Sequence, residues 1–186
     1  MKYSLIDRIL DYQEGKGIRA AKSLSLAEEY LADHFPGFPV LPGVLMIEAM
    51  TQTAAWYLRL SQGMRHPVVT LKQASHVRFG HFVIPGDVLV MELSLTKEDR
   101  ELGEASFRGK GRIHSLATSA DAAAAAPVAC QARLTVASAT VSEVGPEIPP
   151  GSARLTEDRI REELERELAS LRRDLVAQPG AGGEGG

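Results

Sequence analysis

Two side chains in this sequence have the chemistry and the setting for acid–base work: His34 and Glu48, 14 positions apart (48 − 34). An unperturbed imidazole titrates near ~6.5 and suits a base at neutral pH; a carboxyl near ~4.3 serves as an acid only when its surroundings raise it. Glu48 is the only charged residue between Val44 and Leu58. Around it Val44, Leu45, Met46, Ile47, Met50, Ala54, Ala55, Trp56 and Leu58 reach every face of a helix, which predicts a buried helix. An unpaired ionised carboxylate there is very costly, so Glu48 must be paired, protonated or open to a cavity. Gln52 lies one turn on, on the same face, and can hydrogen-bond it. A plainer role stands beside this one: a buried Glu that caps or braces, since structural networks also perturb carboxylates.

The elements that hold the pair follow from proline and glycine. From His34 to Gly43 the chain carries Pro36, Pro39, Pro42, Gly37 and Gly43. Proline fixes φ and biases the preceding residue to extended geometry, so this is a stiff, turning loop. Pro42 then suits a helix start, and no further proline or glycine occurs until Gly63. A helix start offers free backbone N–H groups and a positive dipole end, suited to a developing oxyanion. The helix is too short to span a bilayer, which takes about 20 apolar residues.

Elsewhere, Ser4 with Asp7 and the apolar Leu5, Ile6, Ile9 and Leu10 predict a short capped helix. Glu14-Gly15-Lys16-Gly17 turns the chain into a strand over 18–26. Further strands are expected over 68–79, 88–97, 104–113 and 127–139, with a Pro85-Gly86-Asp87 turn between the first two. Antiparallel strands around one buried helix make an α+β layout. The Ala-rich stretch 114–126 is either a loop or a short helical turn. Residues 1–140 form the expected core domain, 141–153 a Pro/Gly-rich linker, 154–177 an amphipathic helix and 178–186 a disordered Gly-rich tail. Ile160, Leu164, Leu168, Leu171 and Leu175 give that helix a narrow apolar stripe, which serves docking on its own domain or on a partner helix.

A length of 186 residues fits one full core. The net charge of −3 without a dense Lys/Arg block argues against nucleic acid as the main partner. The single Cys130 excludes an internal disulfide framework and suits a small core side chain in a reducing compartment. No apolar run follows a basic start and no membrane span is found, so a cytoplasmic protein is expected. His66, His76, His81 and His114 lack metal-ligand spacing and are expected to be ordinary surface or strand histidines; no metal is expected.

The stretch HFPGFPVLPGVLMIEAMTQ (34–52) resembles the signature of the β-hydroxyacyl-[acyl-carrier-protein] dehydratases of the FabZ type; the sister FabA type carries Asp where this chain has Glu48. SLIDRILDYQEGKGIRAAKSLS and RFGHFVIPGDVLVMELSL add to the likeness, which covers about residues 4–112 and a last strand. The resemblance implies a hot-dog fold and His34 and Glu48 as catalytic groups drawn from two subunits of an obligatory homodimer, or of a trimer of such dimers. It implies dehydration of (3R)-3-hydroxyacyl-[acyl-carrier-protein] to the trans-2-enoyl product in fatty-acid or related synthesis, with no cofactor beyond the carrier's phosphopantetheine arm. His34 would take the C2 proton, Glu48 would protonate or orient the leaving hydroxyl, and the Gly43 N–H would polarise the carbonyl. Gln52 would hold Glu48, with Val44, Phe35 and Phe38 as further substrate contacts. Lys72, Arg78, Arg108, Lys110 and Arg112 offer the acyl carrier protein a basic rim. Three features depart from the family pattern: Asp33, where Gly is common, Phe38, where a polar or basic residue is usual, and RFGHFV in place of a more basic stretch. A hot-dog thioesterase and a catalytically silent acyl-binding subunit are the alternative functions.

Overall fold

The computed structural model describes residues 4–35, 37–115 and 126–172. Six strands form one antiparallel sheet: β1 (Arg8–Gln13), β2 (Gly17–Ser23), β3 (Val68–Phe79), β4 (Asp87–Asp99), β5 (Glu104–Ser115) and β6 (Val128–Ala139). Their order is β1-β2-β4-β5-β6-β3. The sheet curves around α1 (Gly43–Ser61), the hot-dog arrangement that the resemblance implies. Met46, Met50, Ala54 and Leu58 on α1 meet Leu89, Met91, Phe107, Leu134 and Val136 from the strands in one core. Gly109 and Gly111 let α1 come close to β5: a Cβ on either would press on Met50 and on Leu93 or Cys130. Cys130 is fully buried, and burial pushes its thiol up to about 11, as befits an inert core side chain.

Three expectations are corrected. Residues 4–7 are not a helix, and 8–13 are β1. Asp7 does not cap: its carboxylate accepts the Ser23 N–H at 2.6 Å and Lys22 Nζ at 3.2 Å, which ties the chain start to β2. Tertiary pairing outweighs a local pattern that fits a helix. Strand β2 ends at Ser23, because Leu24 turns to bond the Asp87 carbonyl and accept from Gly86. Finally, α1 is not buried all round. Val44 is 74% exposed and Glu48 half-buried, so the first two turns keep an open face.

Beyond β6, a four-residue α2 (Val141–Val144) is closed by a capping box between Thr140 and Glu143. Then α3 (Pro150–Leu171) opens on a proline at its first position. It docks on its own chain: Ala153 and Leu171 are buried, and Leu164 and Leu168 pack on the core. Arg161 donates to the carbonyls of Met64 and Arg65. Residues 116–125 of the expected Ala-rich stretch 114–126, residues 173–177 of the expected helix and the expected tail 178–186 lie outside the described residues.

Candidate active site

The loop before α1 is shaped by its own turn. The Phe38 N–H donates to the Phe35 carbonyl at 2.8 Å, with Gly37 at φ 97°, the positive value that suits glycine. Phe35 itself sits at φ 61°, a left-handed conformation that costs a bulky residue roughly 1–2 kcal/mol. That strain lies directly beside His34, whose ring centroid is 4.3 Å from that of Phe35 with the two planes tilted by 53°. Leu41 N–H bonds the Val83 carbonyl, which anchors the loop to the turn before β4.

His34 Nδ1 lies 3.2 Å from the Val40 carbonyl oxygen. A carbonyl only accepts, so the contact calls for the proton on Nδ1, and in the neutral form of the ring the lone pair then lies on Nε2. The imidazole lines a cleft of about 620 Å³ together with Gly43, Val44 and Met46 from α1 and Phe79, Gly80, His81 and Phe82 from the end of β3. At the helix start the Pro42 carbonyl takes the N–H groups of both Leu45 and Met46. Among the described residues the N–H groups of Gly43 and Val44 meet no acceptor, so two donors stand at the cleft with the positive end of α1.

Glu48 and Gln52 lie further along α1, outside the lining of this cleft. Gln52 Nε2 donates to Glu48 Oε1 at 3.0 Å, and Gln52 Oε1 accepts the Leu5 N–H at 2.8 Å. One carboxylate oxygen is thereby held by the amide. Phe35 and Phe38 also stay outside the lining; Phe38 packs edge-on to Phe82 at 5.8 Å. His81, expected to be an ordinary histidine, stands on the cleft with His34. No sequence spacing signals this, because β3 carries it back across the sheet to the start of α1.

The cationic residues fall into two groups. Lys72 pairs with Glu104 at 3.6 Å, and Arg112 pairs with Glu92 at 3.3 Å and donates to the Ala126 carbonyl. Arg78, Arg108 and Lys110 instead share a shallow depression with His76 and Arg133, and among the described residues none of these four Arg/Lys side chains forms an ion pair. Arg108 and Arg133 are direct cross-strand neighbours. Like charges opposite each other cost stability, which marks this face as unusual on a chain of net charge −3. Among the described residues no cluster of His, Cys, Asp and Glu is placed to hold a metal, and no helix is long and apolar enough to cross a membrane.

Residues 1–114 match the family model described as a FabA-like domain. Over 113 residues the chain is 39% identical to the 3-hydroxyacyl-[acyl-carrier-protein] dehydratase FabZ of Proteus mirabilis, covering 60% of this chain and 74% of that protein. It is 38% identical over the same length to the FabZ of Yersinia pestis strain Pestoides F, covering 60% of this chain and 63%, under two thirds, of that one. Among solved structures, the dehydratase heterocomplex ApeI:P from Xenorhabdus doucetiae aligns with a TM-score of 0.54 at 19% identity, over 75% of this chain and 86% of that one. AziG from S. sahachiroi aligns with a TM-score of 0.50 at 11% identity, over 70% and 89%. At such identities the structures speak for the fold alone.

Proposed function

Given that the chain belongs to the FabA-like family of FabA/FabZ dehydratases, we propose that it dehydrates (3R)-3-hydroxyacyl groups on acyl carrier protein to trans-2-enoyl groups, in fatty-acid or related acyl-chain synthesis. The observation that carries this is the bond from His34 Nδ1 to the Val40 carbonyl, which leaves Nε2 as a base in a cleft that opens on the free N–H groups of α1.

In the reaction His34 Nε2 takes the C2 proton while the Gly43 N–H meets the negative charge that grows on the thioester oxygen. The C3–O bond breaks, and the leaving hydroxyl departs as water with a proton from Glu48 Oε2. Gln52 holds the other oxygen, so the acid presents one edge to the substrate. Solvent exchange then returns a proton to Glu48 and removes one from His34.

Glu48 does not line the cleft that holds His34, which supports a site completed by a second copy. The surface such a copy would cover is at hand: β3 is an edge strand, and Val44, Phe79, Leu71 and Val77 expose apolar surface on and beside it. The proposed assembly is a homodimer with two sites, alone or within a trimer of dimers. Carrier docking falls to Arg78, Arg108, Lys110 and Arg133, which form no ion pair among the described residues.

The test is water addition to a crotonyl thioester, followed at the enoyl absorbance on carrier protein and on coenzyme A. Turnover that is lost in His34→Ala and in Glu48→Ala, and partly regained when the two inactive variants are mixed, is the expected result. Release of free thiol instead of hydration would assign a thioesterase, and neither activity a silent subunit.

A further inference from the structure

The C-terminal helix has no counterpart in the matched region, which ends at residue 114, yet it reaches the carboxylate through four links. Glu167 on α3 accepts from Ser4 Oγ at 3.3 Å, a hydroxyl proton shared with the Ile6 carbonyl at 3.0 Å. Leu5, the next residue, is fully buried and offers its N–H to Gln52 Oε1 at 2.8 Å. Gln52 Nε2 donates to Glu48 Oε1 at 3.0 Å.

An amide has two faces of opposite hydrogen-bonding sense, one accepting and one donating. Either end of Gln52 can turn towards Glu48. The Leu5 N–H removes that freedom: it can only donate, so it claims the oxygen and sends the NH₂ to the carboxylate. Were Leu5 displaced, the carbonyl end of Gln52 could face Glu48 and repel it.

What fixes Leu5 is therefore part of the site. Residues 4–7 lie before β1 and belong to no helix or strand; Asp7 is tied to β2 by its N–H to the Ala21 carbonyl at 2.9 Å and by its carboxylate, which leaves residues 4–6 ahead of that tie. On the side of α3 they are held by the Ser4 contact and by packing with Leu164, Leu168 and Leu171 in one cluster.

We propose that Ser4 and Glu167 are positioning residues for Glu48, and that α3 serves the active site by setting the amide of Gln52 through Leu5. This inference rests on the dehydratase reading above for its effect on rate, not for its geometry. Glu167 has a second neighbour in Arg59, whose guanidinium burial holds down to about 10 against the pull of the Glu167 charge. Loss of the carboxylate could thus act through Arg59 instead, and the experiment must separate the two.

The test compares Ser4→Ala, Glu167→Ala and Glu167→Gln in the full chain, with kcat, KM and thermal midpoint for each. Glutamine keeps an acceptor for Ser4 but loses the charge that faces Arg59. Expected is a fall in kcat of about tenfold in Ser4→Ala and Glu167→Ala with KM little changed, and recovery in Glu167→Gln. In parallel, NMR should show faster hydrogen exchange at the Leu5 amide and a shifted Gln52 NH₂ resonance in the two alanine variants only. Glu167→Gln as impaired as Glu167→Ala, or Ser4→Ala with unchanged kcat, overturns the proposal. If the unmodified chain hydrates no thioester, the dehydratase reading fails, and the NMR signals of Leu5 and Gln52 still decide the relay.

Discussion

Gly43 lies directly under the ring of Phe79: a Cβ added to the glycine would come within 2.9 Å of both Cε1 and Cζ. Both residues line the cleft of His34, so the smallest side chain at the helix start sets how deep the cleft is. Within one protomer the ring is 55% exposed and can give way there, before any contact with the proposed second copy. Gly43→Ala should therefore fold with less than about 1 kcal/mol change in stability, because alanine favours the helix and offsets part of the clash. Its kcat/KM for crotonyl thioester hydration should fall by about tenfold or more as the ring shifts across the donors. Steady-state rates with a thermal melt on the same sample check this; full activity would remove Phe79 from the site.

The cross-strand pair Arg108 and Arg133 gives a second expectation. Reversing one charge turns a like pair into an opposite one, worth a few tenths of a kcal/mol in favour of the fold. Arg108→Glu should thus melt no lower than the unmodified chain. Its kcat/KM with carrier-borne substrate should drop about tenfold at low salt, with the gap narrowing as salt rises. A carrier-free crotonyl thioester should be turned over much as before. Equal loss on both substrates would place carrier docking elsewhere.

Much of this site is legible from local chemistry. Proline and glycine spacing marks the loop at His34 and the start of α1, period-2 alternation marks β4 over 88–97, and the Val/Leu/Thr-rich composition of 127–139 places β6 to within a residue. What escapes is set by distant partners. Ser4, Asp7, Leu5 and Ile9 carry a helical pattern, but Asp7 is claimed by Ser23 and Lys22 and Ile9 by pairing with Ala20. His81 reaches the cleft only because β3 returns along the sheet. The stripe on α3 is plain in sequence, while its seat against Met64, Arg65 and the chain start is not. The open face of α1 escapes for another reason: an apolar pattern says which residues favour burial, not whether the same chain covers them.

Tyr57 tests the core behind the site. It is fully buried, meets the Phe107 ring edge-on at 5.1 Å, and its hydroxyl accepts the Gly15 N–H at 2.9 Å. Tyr57→Phe keeps the ring and strands that N–H. Gly15 lies at the surface, where water can replace the lost partner, so the cost should be about 1 kcal/mol and not the larger value of a sealed donor. Urea unfolding should show a lower midpoint with the same slope; no change would mean that the bond is idle in solution.

Lys22 makes the stability of the chain depend on alkaline pH. Its side chain is 8% exposed, with Nζ 2.7 Å from Glu28 and 3.2 Å from Asp7. Burial alone would lower the amine, but the bonds to Glu28 and Asp7 prevail and hold it above the ordinary 10.5. A pKa raised on folding means that the charged form is favoured in the folded chain. The stabilisation is then complete below 10.5 and is lost as pH climbs through the folded value. Lys22→Met should cost about 1–3 kcal/mol at neutral pH, since it leaves two carboxylates facing each other without their cation. The difference between variant and unmodified chain should stay flat from pH 7 to about 10 and shrink above that, where the lysine of the unmodified chain loses its proton. Denaturant midpoints taken across that range decide the matter. A difference that persists undiminished at the highest pH would mean that the methylene packing of Lys22, not its charge, binds β2 to the chain start.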